Sequence, residues 1–432
     1  MSFKAGMARA VMTPDEPVWL AGYGSKRAPD GKIHDLWIKA LAFEDQLGKR
    51  AVLVTCDMMG IPRAMYERIR DGAKQRCGLD EPELMLTFSH NHCGPVLTGD
   101  LVDYYPLDAE QSALVDRYTE HVTGLFVETI AGALRNLHPA RLEVGYGISR
   151  FAANRRENPE AGVAARIERG EKLRGAVDHR VPVLTVRGES NDLEGILFGY
   201  ACHATTMSFT QWCGDYPGFA QIALEEGHPG ATAMFFPGCG ADQNPLPRRE
   251  LHLCARYGRM LAAAVEEVLL TPMRAVEGEI RTAFESVPLH FKSVSSREEL
   301  EAASRDANAV RSRWARRTLS ELGAGRRFES GCRYPIHLWR LGNLRVIGLG
   351  AEAVVDYSHM FRHAYGEDTW VCGYSSVLVA YMPSHRVYEE GGYEGGPFLY
   401  EYGHPAELWE SRVEEHIVTA VSRMARALAS MP

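Results

Sequence analysis

The chain has 432 residues, of which 45% are hydrophobic and 24% are charged, a composition typical of a globular protein with a large core. Its formal net charge of −8 argues against a general nucleic-acid-binding protein, which needs a basic surface to neutralise phosphates. No apolar run is long enough for a transmembrane helix, and the N-terminal residues lack the apolar stretch of a signal peptide. Nine cysteines without a CxxC pair indicate reduced thiols, so we expect a cytoplasmic protein.

Strands and helices alternate along the first half of the chain. Short apolar runs bounded by turn residues predict strands at 38–43, 51–56, 84–89, 141–146, 181–186 and 194–202. Amphipathic periodicity predicts helices at 64–76 and 109–137, and Pro139 ends the second of them. The charged stretch 151–179 has little periodicity, and we interpret it as an excursion on the surface.

The same alternation continues through the second half. Strands are predicted at 231–236, 277–291, 344–349 and 369–373, and helices at 251–270, 297–322, 351–363 and 405–430. A loop rich in tyrosine and glycine follows from 374 to 403, and no internal repeat or low-complexity linker is visible. The sequence therefore predicts an α/β fold of mixed β-sheets layered with helices, formed by residues 1–432 as a single domain.

One short stretch, residues 89–95, carries the first chemical signal. It follows an apolar run and contains His90 and His92, which lie on the same face of an extended segment. The Gly-Pro pair behind them breaks the strand and exposes its end. Two imidazoles on one side of a strand end can begin a metal site. HxH is a weak motif, however, and two ordinary polar residues at a strand terminus are the alternative.

Three further segments bear candidate site residues. His203 follows an apolar strand, as His90 does, and a histidine bonded only to the backbone is the alternative there. Glu352 directly follows another buried strand, where an acid could instead serve only the dipole of a helix that begins at that point. The loop from Tyr388 to Tyr400 is unusually dense in glycine for a solvated loop, although such a loop can be purely structural.

Taken together, these segments resemble the neutral, non-lysosomal ceramidase family in its N-terminal catalytic domain. The resemblance extends over nearly the whole chain and is clearest at the motifs. Residues 21–24 resemble the family's GYA-type turn, 52–59 its strand with an acidic end, 89–95 its THTHSGP motif, 201–207 its VHCTSM motif, 350–352 its PGE motif and 388–396 its EEYQ…RYEGG loop. Matches at separate motifs in the same order are far more specific than any single one.

The resemblance implies a zinc ion held by two histidines, a glutamate and a tyrosine. Matched motif by motif, these ligands correspond to His90, His203, Glu352 and Tyr388. The family's catalytic tyrosine corresponds to Tyr400. The second histidine of its HxH motif corresponds to His92, and an arginine in its NINR-type stretch corresponds to Arg155.

The sequence departs from the family at one catalytic position. The family's GDVSPN stretch contains a serine with an assigned catalytic role, and the comparable stretch here is 240–245. With the aspartates aligned, Asn244 stands in place of the serine, and an asparagine can donate and accept hydrogen bonds but cannot act as a nucleophile. The chain also stops where the family's immunoglobulin-like domain would begin, so we expect no such domain. Both departures favour a substrate other than ceramide.

The implied ligands would give Zn²⁺ a mixed shell of nitrogen and oxygen atoms. A zinc ion in such a shell lowers the pKa of water toward about 7 and polarises a carbonyl, which suits hydrolysis of an amide or an ester. His92, Arg155 and Tyr400 are the candidates to stabilise the developing oxyanion, and Asn244 completes the predicted catalytic set. Asp242 follows an apolar run and is a candidate to orient neighbouring groups.

We therefore predict a zinc-dependent hydrolase that cleaves the amide bond of a small N-acyl substrate with metal-activated water. The alternatives are an esterase or lactonase with the same metal site, and a binding protein that keeps the metal without catalysis, which Asn244 slightly favours. Cys93 and Cys202 adjoin the predicted ligands, but buried cysteines are the simpler interpretation. The segment from Arg305 to Arg327 is either a solvated helix or a cap that attracts a carboxylate-bearing substrate.

Overall fold

The computed structural model describes residues 3–430, which form alternating strands and helices as the sequence predicts. The helices of this part of the chain are α1 (Arg63–Cys77), α2 (Ala109–Arg135), α3 (Val163–Glu168), α4 (Asp215–Gly227), α5 (Leu251–Leu269), α6 (Arg297–Ala303), α7 (Ala309–Gly323), α8 (Asp356–Tyr365), α9 (His385–Glu390), α10 (Gly392–Gly395) and α11 (Val413–Ala429). Across residues 3–430, no helix combines the length and the apolar character needed to cross a bilayer.

Two sheets hold most of the strands. The strands are β1 (Phe3–Val11), β2 (Gly31–Lys32), β3 (Trp37–Asp45), β4 (Arg50–Cys56), β5 (Leu84–Phe88), β6 (His138–Ile148), β7 (Ala152–Asn154), β8 (Arg180–Arg187), β9 (Leu193–Tyr200), β10 (Gln211–Trp212), β11 (Thr232–Pro237), β12 (Gln243–Pro245), β13 (Arg274–Ala275), β14 (Ile280–His290), β15 (Gly331–Leu341), β16 (Leu344–Leu349), β17 (Glu352–Ala353), β18 (Trp370–Cys372) and β19 (Tyr381–Met382). The larger sheet has the order β11-β9-β8-β6-β1-β3-β4-β5, with β13 beside β6, and the smaller has the order β14-β15-β16-β18. Both sheets are mixed. In the larger one, for example, β4 pairs with β5 in parallel and with β3 antiparallel.

Alternation along the central strands places the larger sheet between two cores. In β3, Ile38 and Ala40 belong to the hydrophobic cluster shared with α1 and α2, whereas Leu41 and Phe43 belong to a second cluster with Trp339 of the smaller sheet. Successive side chains of a strand point to opposite faces. Helices therefore cover one face of the larger sheet and the smaller sheet covers the other, while α11 packs on the outer side of β14.

One irregular segment, residues 373–376, ties three strands together. Its backbone amides donate to a different strand at each step: Gly373 to the last residue of β11 (3.1 Å), Ser375 to the last residue of β16 (2.9 Å) and Ser376 to β5 (2.8 Å). The carboxyl ends of these strands are consequently neighbours. His90 follows β5 and Glu352 follows β16, so this connection brings their chain segments to one place.

Two short strand pairs position further polar residues. β7 and β12 pair antiparallel with Ala153 opposite Asn244, and Arg155 directly follows β7. β17 and β19 pair in parallel with Glu352 opposite Tyr381. β7 lies inside the stretch that we interpret from the sequence as a surface excursion, so part of that stretch is drawn into the fold by its pairing with β12.

The helix predicted from residue 351 begins only at Asp356, and Glu352 lies on β17 instead. The backbone NH of Glu352 donates to the carbonyl of Ala380 at 2.9 Å, within the pairing with β19. Ala351 before it has a φ of +69°, which a right-handed helix cannot contain. Pairing with a distant strand therefore overrides the local helical periodicity.

Two other predicted helices differ in extent. The segment 297–322 forms two helices, α6 and α7, because the side chain of Asn308 accepts hydrogen bonds from the first backbone amides of α7 and starts a new helix there. The last helix begins at Val413 and not at Pro405. The carbonyl of Pro405 accepts instead from the amide of Ser295, so this stretch is held in extended contact with its neighbours.

The turn after β11 leaves no room for a side chain at Gly240, because a Cβ there would lie 2.6 Å from the backbone nitrogen of Cys202. We predict that Gly240→Ala lowers the free energy of unfolding by about 1–3 kcal/mol, the usual cost of overpacking a tight site. Urea denaturation measures the change. A displacement of the backbone at Gly240 would also affect His203, because Nδ1 of His203 donates to the carbonyl of Gly240.

Gly124→Ala is the matched control. Gly124 lies within α2, and no heavy atom lies within 4 Å of the position that its Cβ would take. Because alanine favours a helix, this substitution is expected to raise the free energy of unfolding by roughly 0.5–1 kcal/mol. Equal effects of the two substitutions would contradict the tight packing of the turn.

Candidate metal centre

Three of the predicted ligands meet in the interior of the protein. His90, His203 and Glu352 are all buried, and one ligand atom from each lies within 4.8 Å of the others. His90 lies two residues after the end of β5, His203 lies three residues after the end of β9, and Glu352 begins β17. Among residues 3–430, this is the group of three or more histidine, cysteine or acidic side chains with the spacing of a metal site.

Glu352 is the centre of the cluster. Its Oε2 lies 3.1 Å from Nε2 of His90 and 3.0 Å from Nε2 of His203. Two ligands that are each about 2.1 Å from a tetrahedral Zn²⁺ lie roughly 3.4 Å from one another. The distances between these side-chain atoms are thus close to those found between neighbouring ligands of one ion.

The other ring nitrogen of each histidine is fixed by a backbone carbonyl. Nδ1 of His90 donates to the carbonyl of Met59 at 2.6 Å, and Nδ1 of His203 donates to the carbonyl of Gly240 at 2.8 Å. A carbonyl can only accept, so both hydrogen bonds place the ring proton on Nδ1. In the neutral ring, Nε2 then carries a lone pair directed at the centre of the cluster, the arrangement typical of a metal-binding histidine.

The protonation states agree with this arrangement. Burial, followed by the nearby charge of Arg155, lowers the pKa of His203 to about 4, so its ring is neutral at pH 7. Burial alone would raise the pKa of the Glu352 carboxyl, but its contacts with His90 and His203 outweigh burial and hold that pKa well below its usual range. A neutral imidazole therefore faces an ionised carboxylate.

The donor set fits a divalent cation. With Nδ1 protonated, Nε2 of His203 is an acceptor, and it lies 3.0 Å from the carboxylate Oε2, which is also an acceptor. Two acceptors at this separation repel unless a proton or a cation lies between them. Imidazole nitrogen and carboxylate oxygen suit Zn²⁺ and other first-row divalent ions. His90, His203 and Glu352 together therefore could hold a metal ion.

A tyrosine that sequence reasoning did not single out completes the environment of Glu352. The hydroxyl of Tyr402 donates a short hydrogen bond to Oε1, the carboxylate oxygen that faces away from the histidines. Oε2 is left for the two imidazoles. A hydrogen bond to the outer oxygen of a metal-binding carboxylate fixes its orientation, so Tyr402 has the position of an orienting group.

His92 lies beside the three clustered residues. Its Nε2 is 3.3 Å from Nε2 of His90, and its ring meets that of Tyr23 edge-on with centroids 4.9 Å apart. Burial and the neighbouring histidines lower its pKa well below the ordinary value, so the ring is neutral at pH 7. When Nε2 of His90 carries a lone pair for a metal ion, the ring proton of His92 belongs on Nε2, where it can be donated into the site.

Arg155 joins the cluster to the tyrosine-rich loop. Its Nη2 donates to the hydroxyl of Tyr381 at 3.0 Å, and its Nε donates to Glu394 at 2.6 Å. The guanidinium also lies over the rings of Tyr381 and Tyr393. The ring of Tyr381 is 6.5 Å from that of His203, centroid to centroid. A cation and a phenol are thus held next to the predicted ligands.

Tyr388 and Tyr400, the tyrosines chosen by the resemblance, lie in other surroundings. Tyr388 is on α9, half-buried against the hydrophobic core, and within residues 3–430 no hydrogen bond or ring contact joins it to the clustered ligands. Tyr400 packs on Trp314, and its hydroxyl meets Asn308 at 3.2 Å. The tyrosines in contact with the cluster or with Arg155 are Tyr374, whose ring centroid lies 4.7 Å from that of His90, together with Tyr381, Tyr393 and Tyr402.

Asn244 and Asp242 lie on the strand and turn opposite β7. Oδ1 of Asn244 is buried and has no hydrogen-bond partner within the described part of the chain. Asp242 joins two parts of the site, because its backbone carbonyl accepts from the amide of Arg155 at 2.8 Å and its Oδ1 accepts from the amide of Val355 at 2.8 Å. Asp242 thereby connects the Arg155 segment to the chain just after Glu352.

Another acidic residue near the cluster was missed from the sequence. Asp100 is buried, its Oδ2 has no partner among residues 3–430, and burial together with the charge of Glu352 raises its pKa to about 8. It lies in a loop with no motif and no periodicity, so nothing in the sequence marks it.

Two arginines of the segment from Arg305 to Arg327 form ion pairs within the protein. Arg317 makes an ion pair with Asp103 at 2.7 Å, and Arg311 pairs with Glu407 and Asp306. These arginines therefore fasten α7 to the neighbouring loops, and their charges are already matched.

The two thiols beside the predicted ligands are unsuited to nucleophilic attack. Cys93 and Cys202 are both buried, and burial raises the pKa of each thiol. The thiol form, which is the unreactive one, is therefore favoured.

Comparison with solved structures identifies the same fold in known enzymes. Neutral ceramidase from Pseudomonas aeruginosa superposes with a TM-score of 0.72 and 20% sequence identity over 98% of this chain and 75% of the other. A ceramidase complexed with C2 gives a TM-score of 0.71 and 19% identity over 98% of this chain and 76% of the other. The sequence itself matches no protein-family model and no curated protein. The resemblance inferred from the motifs is thus confirmed for the fold, which is that of neutral ceramidase.

Removal of one imidazole tests whether the cluster binds a metal. We predict about one Zn²⁺ per chain in protein purified with zinc supplied, and loss of that zinc in His90→Ala, because two remaining ligands do not hold the ion. Elemental analysis after dialysis measures the content. His252→Ala is the control, since His252 is exposed and pairs only with the exposed Glu250. A His90→Ala protein that retains its zinc would contradict the site.

Two tyrosine variants separate the observed contacts from the motif assignment. Tyr402→Phe removes the hydrogen bond to Glu352, and we expect zinc affinity to fall roughly 10- to 100-fold, as for other groups that orient metal ligands. Tyr388→Phe is expected to leave the affinity unchanged. Competition with a chelating dye measures both. A loss seen only with Tyr388→Phe would favour the assignment made from the sequence and count against the contacts of the structure.

Proposed function

We propose that this protein is a zinc-dependent hydrolase that cleaves the amide bond of a small N-acyl substrate. The observation that carries the proposal is the buried convergence of two imidazole lone pairs on an ionised carboxylate. The fold of neutral ceramidase supports the same class of reaction, although at 20% identity the likeness is one of fold alone.

In this proposal His90, His203 and Glu352 hold the zinc ion. A zinc ion held there would supply Lewis-acid polarisation of a substrate carbonyl and would lower the pKa of water. The residues themselves have separate tasks. The backbone carbonyls of Met59 and Gly240 fix the histidine rings, and the hydroxyl of Tyr402 fixes the carboxylate.

We place Tyr381 and Tyr393, and not Tyr388 and Tyr400, at the reacting centre. Burial raises the pKa of Tyr381, but its hydrogen bond from Arg155 acts in the opposite direction and favours a polarised hydroxyl. Tyr393 lies with its ring 5.2 Å from that of Tyr381, centroid to centroid. These contacts support a phenol beside the metal ligands even though the sequence spacing points to other tyrosines.

The oxyanion that develops during amide hydrolysis needs donors in a dry site. Neutral His92 can donate from Nε2, and Arg155 has guanidinium hydrogens beyond those used by Glu394 and Tyr381. Asn244 cannot attack a carbonyl, so in this mechanism its amide binds the substrate by hydrogen bonds. The proposal therefore requires no protein nucleophile.

We also propose that residues 1–432 act as one catalytic unit. The residues of the site come from chain segments as distant as His90 and Tyr402, and hydrogen bonds within the two sheets hold them together. No part of this range could supply the site without the others.

Substrate panels test the reaction class. We predict that zinc-loaded protein hydrolyses N-acyl amides faster than O-acyl esters of the same acyl chain after correction for their uncatalysed rates, and that His92→Ala lowers kcat about 10²- to 10³-fold, the usual effect of removing one oxyanion donor. Chromatographic detection of the released fatty acid measures the rate. His121→Ala, an exposed histidine in α2, is the control.

The possible outcomes distinguish the competing functions. Preference for esters or lactones would assign the same site to an esterase. Zinc binding without hydrolysis of any substrate in the panel would support a binding protein, which the asparagine at position 244 would then explain.

A further inference from the structure

A cleft of about 500 Å³ opens beside the candidate metal centre. Its walls are formed by Arg155, Arg156, Glu160, Asn244, Arg248, Gly392, Tyr393 and Glu394. Arg155 is common to the cleft and the metal centre, because the same guanidinium donates to Tyr381 next to His203. A substrate whose amide lies at the metal can therefore extend a further group into this cleft.

The walls of the cleft carry more positive than negative charge. Three guanidiniums face it, from Arg155, Arg156 and Arg248, against the two carboxylates of Glu160 and Glu394. Glu394 is buried with 2% of its side chain exposed, and both of its oxygens are occupied by Arg155 and Arg156 at 2.6 and 2.7 Å. The carboxylate of Glu394 is thus directed into the protein, whereas Arg155 and Arg156, which it binds, line the opening of the cleft.

Several polar atoms of the cleft have no partner among residues 3–430. Nε of Arg156 and Oδ1 of Asn244 are buried without a hydrogen bond. Arg155 uses Nε and Nη2 for its contacts within the protein, which leaves its Nη1 hydrogens for a ligand. Buried polar groups in proteins are nearly always paired. Nε of Arg156 is a donor, which an acceptor bound in the cleft would satisfy, whereas Oδ1 of Asn244 is an acceptor and would take a hydrogen bond from an N–H or O–H of the substrate.

We propose that this cleft binds a carboxylate of the substrate, so that the preferred substrates are N-acyl amino acids or similar N-acyl acids and not neutral N-acyl alcohols. The inference rests on the proposed hydrolase function and narrows it to a substrate class. The planar guanidinium of Arg155, with its Nη1 hydrogens not used within the protein, matches the in-plane oxygens of a carboxylate.

Arg156 is a specificity-determining residue in this proposal, since it lines the cleft and has no contact with the metal ligands. Its guanidinium supports Glu394 through Nη1 and Glu390 through Nη2. Arg386 offers a matched control, because it also pairs with Glu390 but from the exposed side of α9, outside the cleft.

The test uses two matched amides, N-lauroylglycine and N-lauroylethanolamine, which share the acyl chain and differ in a carboxylate against an alcohol. With zinc-loaded protein, kcat/KM for the acid is expected to exceed that for the alcohol roughly 10- to 100-fold, the contribution of one or two hydrogen bonds to a charged group. Arg156→Gln should reduce this ratio about tenfold, through a rise in KM for the acid that exceeds any change for the alcohol. Arg386→Gln should leave the ratio unchanged.

A binding measurement separates this inference from the hydrolase proposal. The corresponding sulfonamides, N-dodecylsulfonylglycine and N-dodecylsulfonylethanolamine, resist acyl transfer, and calorimetry gives their affinities for the same protein. Preference for the acidic sulfonamide in the absence of any hydrolysis would support the carboxylate cleft and overturn the amidase. Hydrolysis of both amides at equal efficiency, with equal affinity for the two sulfonamides, would overturn the cleft and leave the amidase in place. A folded Arg156→Gln protein that keeps the full preference for the acid would also overturn the proposed carboxylate cleft.

Discussion

The structure is organised around a buried convergence of two imidazoles on one carboxylate. Nε2 of His90 and Nε2 of His203 each lie near 3 Å from Oε2 of Glu352 in the interior. Their orientation is not free to relax, because backbone carbonyls hold both rings and Tyr402 holds the carboxylate. An uncompensated buried charge destabilises a fold by several kcal/mol. A cation held by these three residues would balance the charge of the carboxylate, and its binding would then be coupled to folding stability.

The scaffold that imposes this convergence is built from strands and not from the helices around them. His90 and His203 follow strands of the larger sheet, and Glu352 is held by its pairing with β19. Asp242 then connects the Arg155 segment to the chain beyond Glu352, because its carbonyl accepts from the amide of Arg155 and its side chain accepts from the amide of Val355. Because strands and backbone contacts carry the geometry, the site depends little on the conformations of long side chains. This arrangement suits a centre whose ligands must meet within a few tenths of an ångström.

Sequence reasoning succeeded where a residue is marked by its place relative to a strand. His90, His203 and Glu352 each stand at the end of an apolar run, and all three are in the cluster. It could not choose among the tyrosines. Tyr388 and Tyr400 are twelve positions apart in the sequence, and so are Tyr381 and Tyr393, so spacing alone fits either pair. Which pair contacts Arg155 is decided by two short helices and by β19, whose pairing partner lies about thirty residues earlier in the chain and leaves no local signal.

The segment 373–376 gives the molecule a particular weakness. Hydrogen bonds connect three strands of two sheets at this one place. Tyr374 and Ser376 adopt positive φ values there, which residues other than glycine rarely take. If the backbone hydrogen bonds of these residues break, β5, β11 and β16 lose the segment that connects them, while most of both sheets stays intact. Opening of the candidate metal centre would then be a partial unfolding event, with its own free energy below that of the whole protein. Amide protons of this stretch and of the histidine-bearing turns would exchange with deuterium as one group.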